Sequence, residues 1–301
     1  MPENCELSKY KIFSTPYKLI VFDWDGTAVE NRQVDASEVT GLLRCLIERD
    51  VIIAIITGTN VHNVMAQIQD ITSSSGLKNL YILTNRGSEV YGFDEDKKLV
   101  LIYERHATKQ EKHLLDDISI KTRNAITSIS NTNINIVFNR MNRRKIDLIP
   151  EWENPQKNEI DKLLFETEKN LTENGFSGGM KEAYEILKIH ARAADFNQAK
   201  ITSDVKHLEI GLTDKSDSMR WIMENIASKK KIKENEILVG GDEFGTVAGF
   251  EGSDSKMILD GYPDITYISV GIEPEGVPEK VIHARGGPAC FCRVLEMQLE
   301  L

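Results

Sequence analysis

A short apolar run, Lys18-Leu19-Ile20-Val21-Phe22, stops at Asp23-Trp24-Asp25-Gly26-Thr27. A continuous apolar stretch without polar alternation suits a strand buried on both faces, and such strands belong to parallel sheets covered by helices on each side. The acidic and glycine residues that follow read as a turn. Polar chemistry therefore sits at the carboxyl end of a core strand.

The same texture recurs along the chain. Val51–Ile56 is a second buried run and ends in Thr57-Gly58-Thr59-Asn60; Leu80–Leu83 is a third. Asp35 with Glu38 has the spacing of a capping box, and Val39, Leu42, Leu43, Leu46 and Ile47 then repeat at helical spacing. A helix is expected from about Val61 to Gln69. Later, Met219, Ile222, Met223 and Ile226 mark another core-facing helix before strands at Ile237-Leu238-Val239 and Ile265–Val270. Strand and helix in alternation predict an α/β fold, a doubly wound parallel sheet of Rossmann-like type.

Between Ser88 and about Ile210 the pattern changes. Strands are expected at Lys98–Glu104, Ile134–Phe138, Lys145–Leu148 and Val205–Ile210, with helices near Gln110–Ile129, Pro155–Glu173 and Met180–Asp195. This reads as a separate α/β unit inserted into the first. The expected division is 1–87 and 211–301 for the core and 88–210 for the insert. A chain of 301 residues, 41% hydrophobic and 28% charged, has the material for both.

The net charge of -10 opposes attraction to nucleic acid and to anionic membranes, so neither is an expected partner. It also repels phosphorylated molecules, so a phosphate site needs local positive charge. The N-terminus lacks the pattern of a signal peptide and no apolar run is long enough to span a bilayer, which predicts a cytoplasmic protein. Cys5, Cys45, Cys290 and Cys292 have neither disulfide-framework nor zinc spacing and are expected as reduced thiols.

Open parallel sheets carry their sites at the carboxyl ends of the strands. Asp23 and Asp25 alternate past the first strand, so one carboxylate can attack phosphorus while the other handles a proton. Gly26 permits a sharp turn and Thr27 can donate a hydrogen bond. Thr57 and Gly58 offer a hydroxyl and backbone N–H groups to phosphate oxygens; a plain helix cap by Thr57 or Thr59 is the competing account. Asp242, after the strand ending at Val239, joins Asp23 and the carbonyl of Asp25 as an oxygen set suited to Mg2+. Asp254 lies further along, and Lys215 precedes the helix containing Met219, where it can hold phosphate and neutralise the carboxylates.

These stations, in this order, resemble the haloacid dehalogenase-like phosphohydrolase superfamily, whose D-x-D-G-T signature Asp23-Trp24-Asp25-Gly26-Thr27 matches in full. The resemblance implies that Asp23 is a nucleophile forming an aspartyl-phosphate and Asp25 a general acid and base. Thr57, Lys215 and Asp242 would fill the later motifs. The insert resembles the large α/β cap of the sugar-phosphatase branch, which includes sucrose- and trehalose-phosphate phosphatases, mannosyl-phosphoglycerate phosphatases and phosphomannomutases; a closing cap would exclude water. The fourth motif departs from the common pattern. Thr246 stands where many relatives carry their second acid, so a loop insertion that leaves this role to Asp254 is expected, with Glu243 as its competitor. Asn60 also replaces the usual residue of the second motif and is counted with Gly58 among the expected phosphate-binding residues. Within the insert, Arg140, Arg143 and Arg144 loosely resemble a substrate-binding segment, and a solvated hairpin explains them equally well. The expected function is a Mg2+-dependent phosphatase acting on a sugar phosphate or glycosyl-phosphate. A phosphohexomutase with the same nucleophile is the alternative, and a non-catalytic phosphosugar-binding protein a third.

Overall fold

The computed structural model describes residues 14–152, 160–204, 206–247, 249–272 and 275–301. Two compact units emerge. Among the described residues, the first holds the chain up to Glu104 together with Asp214–Thr246 and Glu251–Leu301, and the second holds Arg105–Thr213 and Val247–Phe250.

The chain opens with β1 (Leu19–Asp23), α1 (Ser37–Glu48), β2 (Ile52–Ile56), α2 (Val61–Gln67), β3 (Leu80–Thr84), β4 (Glu89–Phe93) and β5 (Leu99–Glu104). The second unit follows with α3 (Lys109–Ser128), β6 (Asn135–Arg140), β7 (Arg143–Asp147), α4 (Ile160–Glu173), α5 (Gly179–Ala193), β8 (Lys200–Ser203) and β9 (His207–Gly211). The chain then returns through α6 (Lys215–Ile222), a π-helical turn at Met223–Ala227 and α7 (Ser228–Lys230). Last come β10 (Ile237–Gly241), a ladder of β11 (Thr246–Val247) and β12 (Phe250–Glu251), β13 (Thr266–Ser269), β14 (Val281–His283) and α8 (Gly287–Leu299). The helix expected from Pro155 is described from Ile160, and residues 155–159, like Val205 of the strand expected at Val205–Ile210 and like Cys5, lie outside the described residues.

The first unit is built on an eight-stranded sheet in the order β14-β13-β10-β1-β2-β3-β4-β5. It is parallel from β14 to β3, and β4 and β5 extend it antiparallel. Alternate side chains of β1 enter opposite cores. Ile20 and Phe22 pack with α1, α2 and α8, whereas Leu19 and Val21 pack with Met219 and Ile222 of α6. Each such burial contributes about 1.5–3 kcal/mol relative to exposure. Asp23 has the same parity as Leu19 and Val21, so it emerges on the α6 side. Gly240 of β10 lets α8 lie close, since a Cβ there would sit 2.7 Å from Cε2 of Phe291.

Three expectations change. The insert begins at Arg105 rather than Ser88, because β4 and β5 belong to the core sheet: Val90 enters one apolar core while Tyr91 and Phe93 pack against the other. The capping box at the head of α1 does not form. Asp35 instead accepts from the backbone N–H and the hydroxyl of Ser37, and Ala36 is the N-cap. Cys290 is disulfide-bonded, while Cys45 and Cys292 are free thiols.

The second unit carries a four-stranded antiparallel sheet, β6-β7-β9-β8, whose apolar face (Ile146, Leu208, Ile210) packs with Leu115 and Ile118 of α3 and Met180 and Leu187 of α5. Thr108 and Glu111 close a reciprocal capping box on α3. The opposite parity of β7 and β9 carries charge. Asp147 pairs across the strands with His207, whose Nδ1 is 3.0 Å from Asp204, and Lys206 is 3.1 Å from Asp147. Burial alone would lower the His207 pKa, but hydrogen bonds to Asp147 and Asp204 override it and hold the imidazolium above its ordinary value. A raised folded pKa means that the pair's stabilisation is complete below the unfolded value of about 6.5 and is lost as pH rises through the folded one. Thermal melts between about pH 6 and about pH 8.5 should therefore show a falling Tm that flattens in His207→Gln. An equal slope in both proteins would remove His207 from the account.

Candidate active site

Asp23, the last residue of β1, is buried. Beyond it the chain folds back tightly. Gly26 takes φ 93°, its N–H donates to Val29 O, and Ala28 and Val29 both donate to Trp24 O. Trp24 turns to the face opposite Asp23, where its indole N–H donates to Gln67 Oε1 at 2.8 Å. The Gln67 amide in turn donates to the carbonyls of Asn31 and Val34. One α2 side chain thus ties down both the motif and the loop after it. From that loop Arg32 reaches back to Asp25 Oδ2 at 3.1 Å, a contact that no local sequence pattern announces.

Lys215 begins α6, and Asp214 and Asp217 fix that helix start with a capping box. Its ammonium donates to Asp23 Oδ1 at 2.8 Å and to Asp254 Oδ1 at 2.5 Å. Burial would lower its pKa, yet the negative charges of Asp23, Asp254 and Glu243 raise it well above the usual lysine value. The other oxygen of Asp254 accepts from the backbone N–H groups of Asp242 and Glu243, both at 2.8 Å. Asp254 is fully buried, and a Cβ on Gly241 would lie 2.5 Å from its Oδ2. Glu243 instead accepts from Ser253 Oγ. Between the two positions the chain closes on itself, with Gly252 N donating to Gly245 O and Asp254 N to Glu243 O. β11 and β12 lie between the two acids, and Asp254 returns to the backbone of Asp242 and Glu243.

Thr27 donates to Asp242 Oδ1 at 3.0 Å and orients it. Carboxylate oxygens of Asp23, Asp242 and Asp254 all lie within 4.8 Å of one another. Lys215 contacts two of these three buried carboxyl groups, Asp23 and Asp254, and a buried cluster of carboxylates favours a further cation. The donors are hard oxygens, the chemistry that magnesium takes. The residues present fit such an ion.

Asp23 pairs in register with Ile56, so Thr57 lies one residue further along the adjacent strand. Thr57 is buried, and its hydroxyl accepts from Thr59 N–H at 3.2 Å, which leaves the hydroxyl proton to donate. Asn60, expected among the phosphate-binding residues, is exposed and caps α2 by accepting from Asn63 N. The three arginines of the insert do not form one patch. Arg140 is exposed, Arg143 lies 3.5 Å from Glu209, and Arg144 points to the other face, where it donates to Asp116. Strand parity separates neighbours that look clustered in the sequence.

Compared as a structure, the chain matches the IMP-bound, N-terminally truncated IMP-nucleotidase of Plasmodium falciparum with a TM-score of 0.61 at 12% identity, over 95% of this chain and 69% of that one. It matches trehalose-6-phosphate phosphatase of Aspergillus fumigatus with a TM-score of 0.56 at 14% identity, over 96% and 95%. The chain has the haloacid dehalogenase-like fold. A protein from Eubacterium rectale is similar to this chain at a TM-score of 0.56 and 11% identity, over 95% of this chain and 99% of that one. No family model matches the sequence, and neither does any curated protein. Among the described residues, no helix is long and apolar enough to cross a membrane.

Proposed function

We propose that this chain is a magnesium-dependent phosphatase that hydrolyses a sugar phosphate or glycosyl-phosphate. The observation that carries this reading is the buried Lys215 bridging Asp23 and Asp254, with Asp242 beside them and Asp25 two residues beyond the nucleophile. An Asp23 oxygen forms a bond to phosphorus as the bond to the leaving oxygen breaks, and Asp25 gives that oxygen its proton. Asp25, now a carboxylate, takes a proton from water as the water oxygen attacks the aspartyl-phosphate and frees Asp23. Lys215 holds Asp23 in line and faces the charge that develops on the phosphoryl oxygens. Magnesium, held by Asp23, Asp242 and the Asp25 carbonyl and backed by Asp254, would supply charge neutralisation for the phosphoryl group.

A nucleoside monophosphate is the second reading, favoured by the similarity to the IMP-bound nucleotidase. A phosphate-release screen with Mg2+ over sugar phosphates, phosphoglycerate glycosides and nucleotides separates the two. The expected result is a sugar phosphate as best substrate, with EDTA lowering its hydrolysis by at least about 100-fold. Preferred release from nucleotides would transfer the proposal to the second reading, and no release from any member would end both.

A further inference from the structure

The carboxyl end of β3 holds a feature that the chemistry above does not use. Asn85, Arg86 and Gly87 are consecutive residues in the left-handed region, with φ of 50°, 57° and 89°. Glycine enters that region freely and asparagine tolerates it, but arginine is strained there. Such strain persists where the surroundings over-determine it, and it concentrates at functional positions.

Here the surroundings do so on three sides. Asn85 N–H donates to Thr59 O and Arg86 N–H to Thr57 O, which fastens the turn to the loop after β2. The Glu89 carboxylate collects Thr84 Oγ1 at 2.9 Å, Asn85 Nδ2 at 2.6 Å and Tyr91 OH at 3.0 Å. Burial first, and then Glu89, push the Tyr91 phenol up to about 12, so it remains a donor to that carboxylate. On the third side Gly87 backs onto the first turn of α6. A Cβ at Gly87 would lie 2.8 Å from Ser218 N and 3.1 Å from Asp214 O, so only glycine allows the approach. The turn is wedged between the loop of Thr57 and Gly58 and the helix start that carries Lys215.

What this wedge presents is the Arg86 side chain. Its Nε and Cγ would lie 3.6 and 3.8 Å from a Cβ built on Gly58, so the side chain runs over that glycine's backbone. We infer that Arg86 is a phosphoryl-binding residue, its guanidinium sharing with Thr57 and the Gly58 backbone the phosphoryl group on which Asp23 acts. The inference rests on the phosphatase reading and adds a fourth strand end to the site. Lys215 is a compact point charge bonded to Asp23 and Asp254, and a guanidinium differs from it in being a planar fork whose geometry matches two phosphate oxygens at once.

The test uses the full chain and inorganic phosphate as the probe. Arg86→Gly removes the guanidinium and relaxes the backbone strain together, so its Tm should be unchanged or higher. Titration calorimetry should show phosphate affinity lowered about 10- to 100-fold, and with an aryl phosphate KM should rise by a similar factor, more than kcat falls. Arg86→Lys should recover part of the loss, through charge without the fork. Phosphate affinity and KM within about twofold of the unmutated chain would overturn the assignment while leaving the phosphatase reading intact. If the unmutated chain turns over no phosphate ester, the phosphatase reading falls. The calorimetric comparison with Arg86→Gly then still decides whether Arg86 binds the anion.

Discussion

Asp23→Asn should reduce phosphate release from an aryl phosphate by at least about 10³-fold while leaving Tm unchanged or slightly raised. The amide keeps the shape of the side chain and can still accept from Lys215, so the local geometry survives. It cannot donate an electron pair to phosphorus as a carboxylate does, and removing a nucleophile costs more than removing an orienting group. Stability moves the other way because Asp23, Asp242 and Asp254 crowd within 4.8 Å, and withdrawing one negative charge relieves their repulsion. A rate lost without a stability penalty distinguishes a reacting group from a structural ion pair. Turnover within tenfold of the unmutated chain would remove the nucleophile assignment.

Asp254→Ala should do the reverse and act on both quantities. Its carboxylate serves the Lys215 ammonium and two backbone N–H groups from inside a fully buried position. Deleting it strands those donors, and breaking a buried charge pair costs about 3–5 kcal/mol. Denaturant unfolding should record that loss, and turnover should fall about 100-fold as Lys215 and the Asp242 turn lose their anchor. Glu243→Gln supplies the contrast. Glu243 reaches Lys215 only through its field, so unfolding free energy should change by less than about 1 kcal/mol. Equal damage in the two variants would mean that Asp254 is not the acid that anchors the lysine.

The parts of this molecule that were legible in the sequence are those where one strand does one job. Lys18–Phe22 reads as a doubly buried strand because no polar residue interrupts it, and Ile237–Val239 announces β10 for the same reason. Lys215 and Asp254 could be placed only in combination, since an isolated lysine or aspartate near a turn has no signature. The strand at Glu89–Phe93 is not among those expected, and Lys98–Glu104 is expected in the insert, because sheet membership is a tertiary fact. The half-buried alternation of Glu89–Phe93 fits any antiparallel sheet, and the exposed Leu101, Ile102 and Tyr103 of β5 resemble a core strand until its position at the sheet edge is known. Arg86 was invisible for a different reason. What marks the position is a backbone angle, and only the glycine that follows it hints at a left-handed turn.

The parity of β1 bears on which changes of length the chain can absorb. Asp23 and Trp24 are adjacent residues with opposite destinations, one facing Lys215 and the other sealed by Gln67. Inserting or deleting one residue between Leu19 and Asp23 would exchange them, sending an indole toward the lysine and a carboxylate into the apolar layer. The twelve-residue path from Asp242 to Asp254 has no such rule, because its hairpin closes on itself before the second aspartate is reached. Drift in length can accumulate on one side of the Lys215 ammonium and is forbidden on the other.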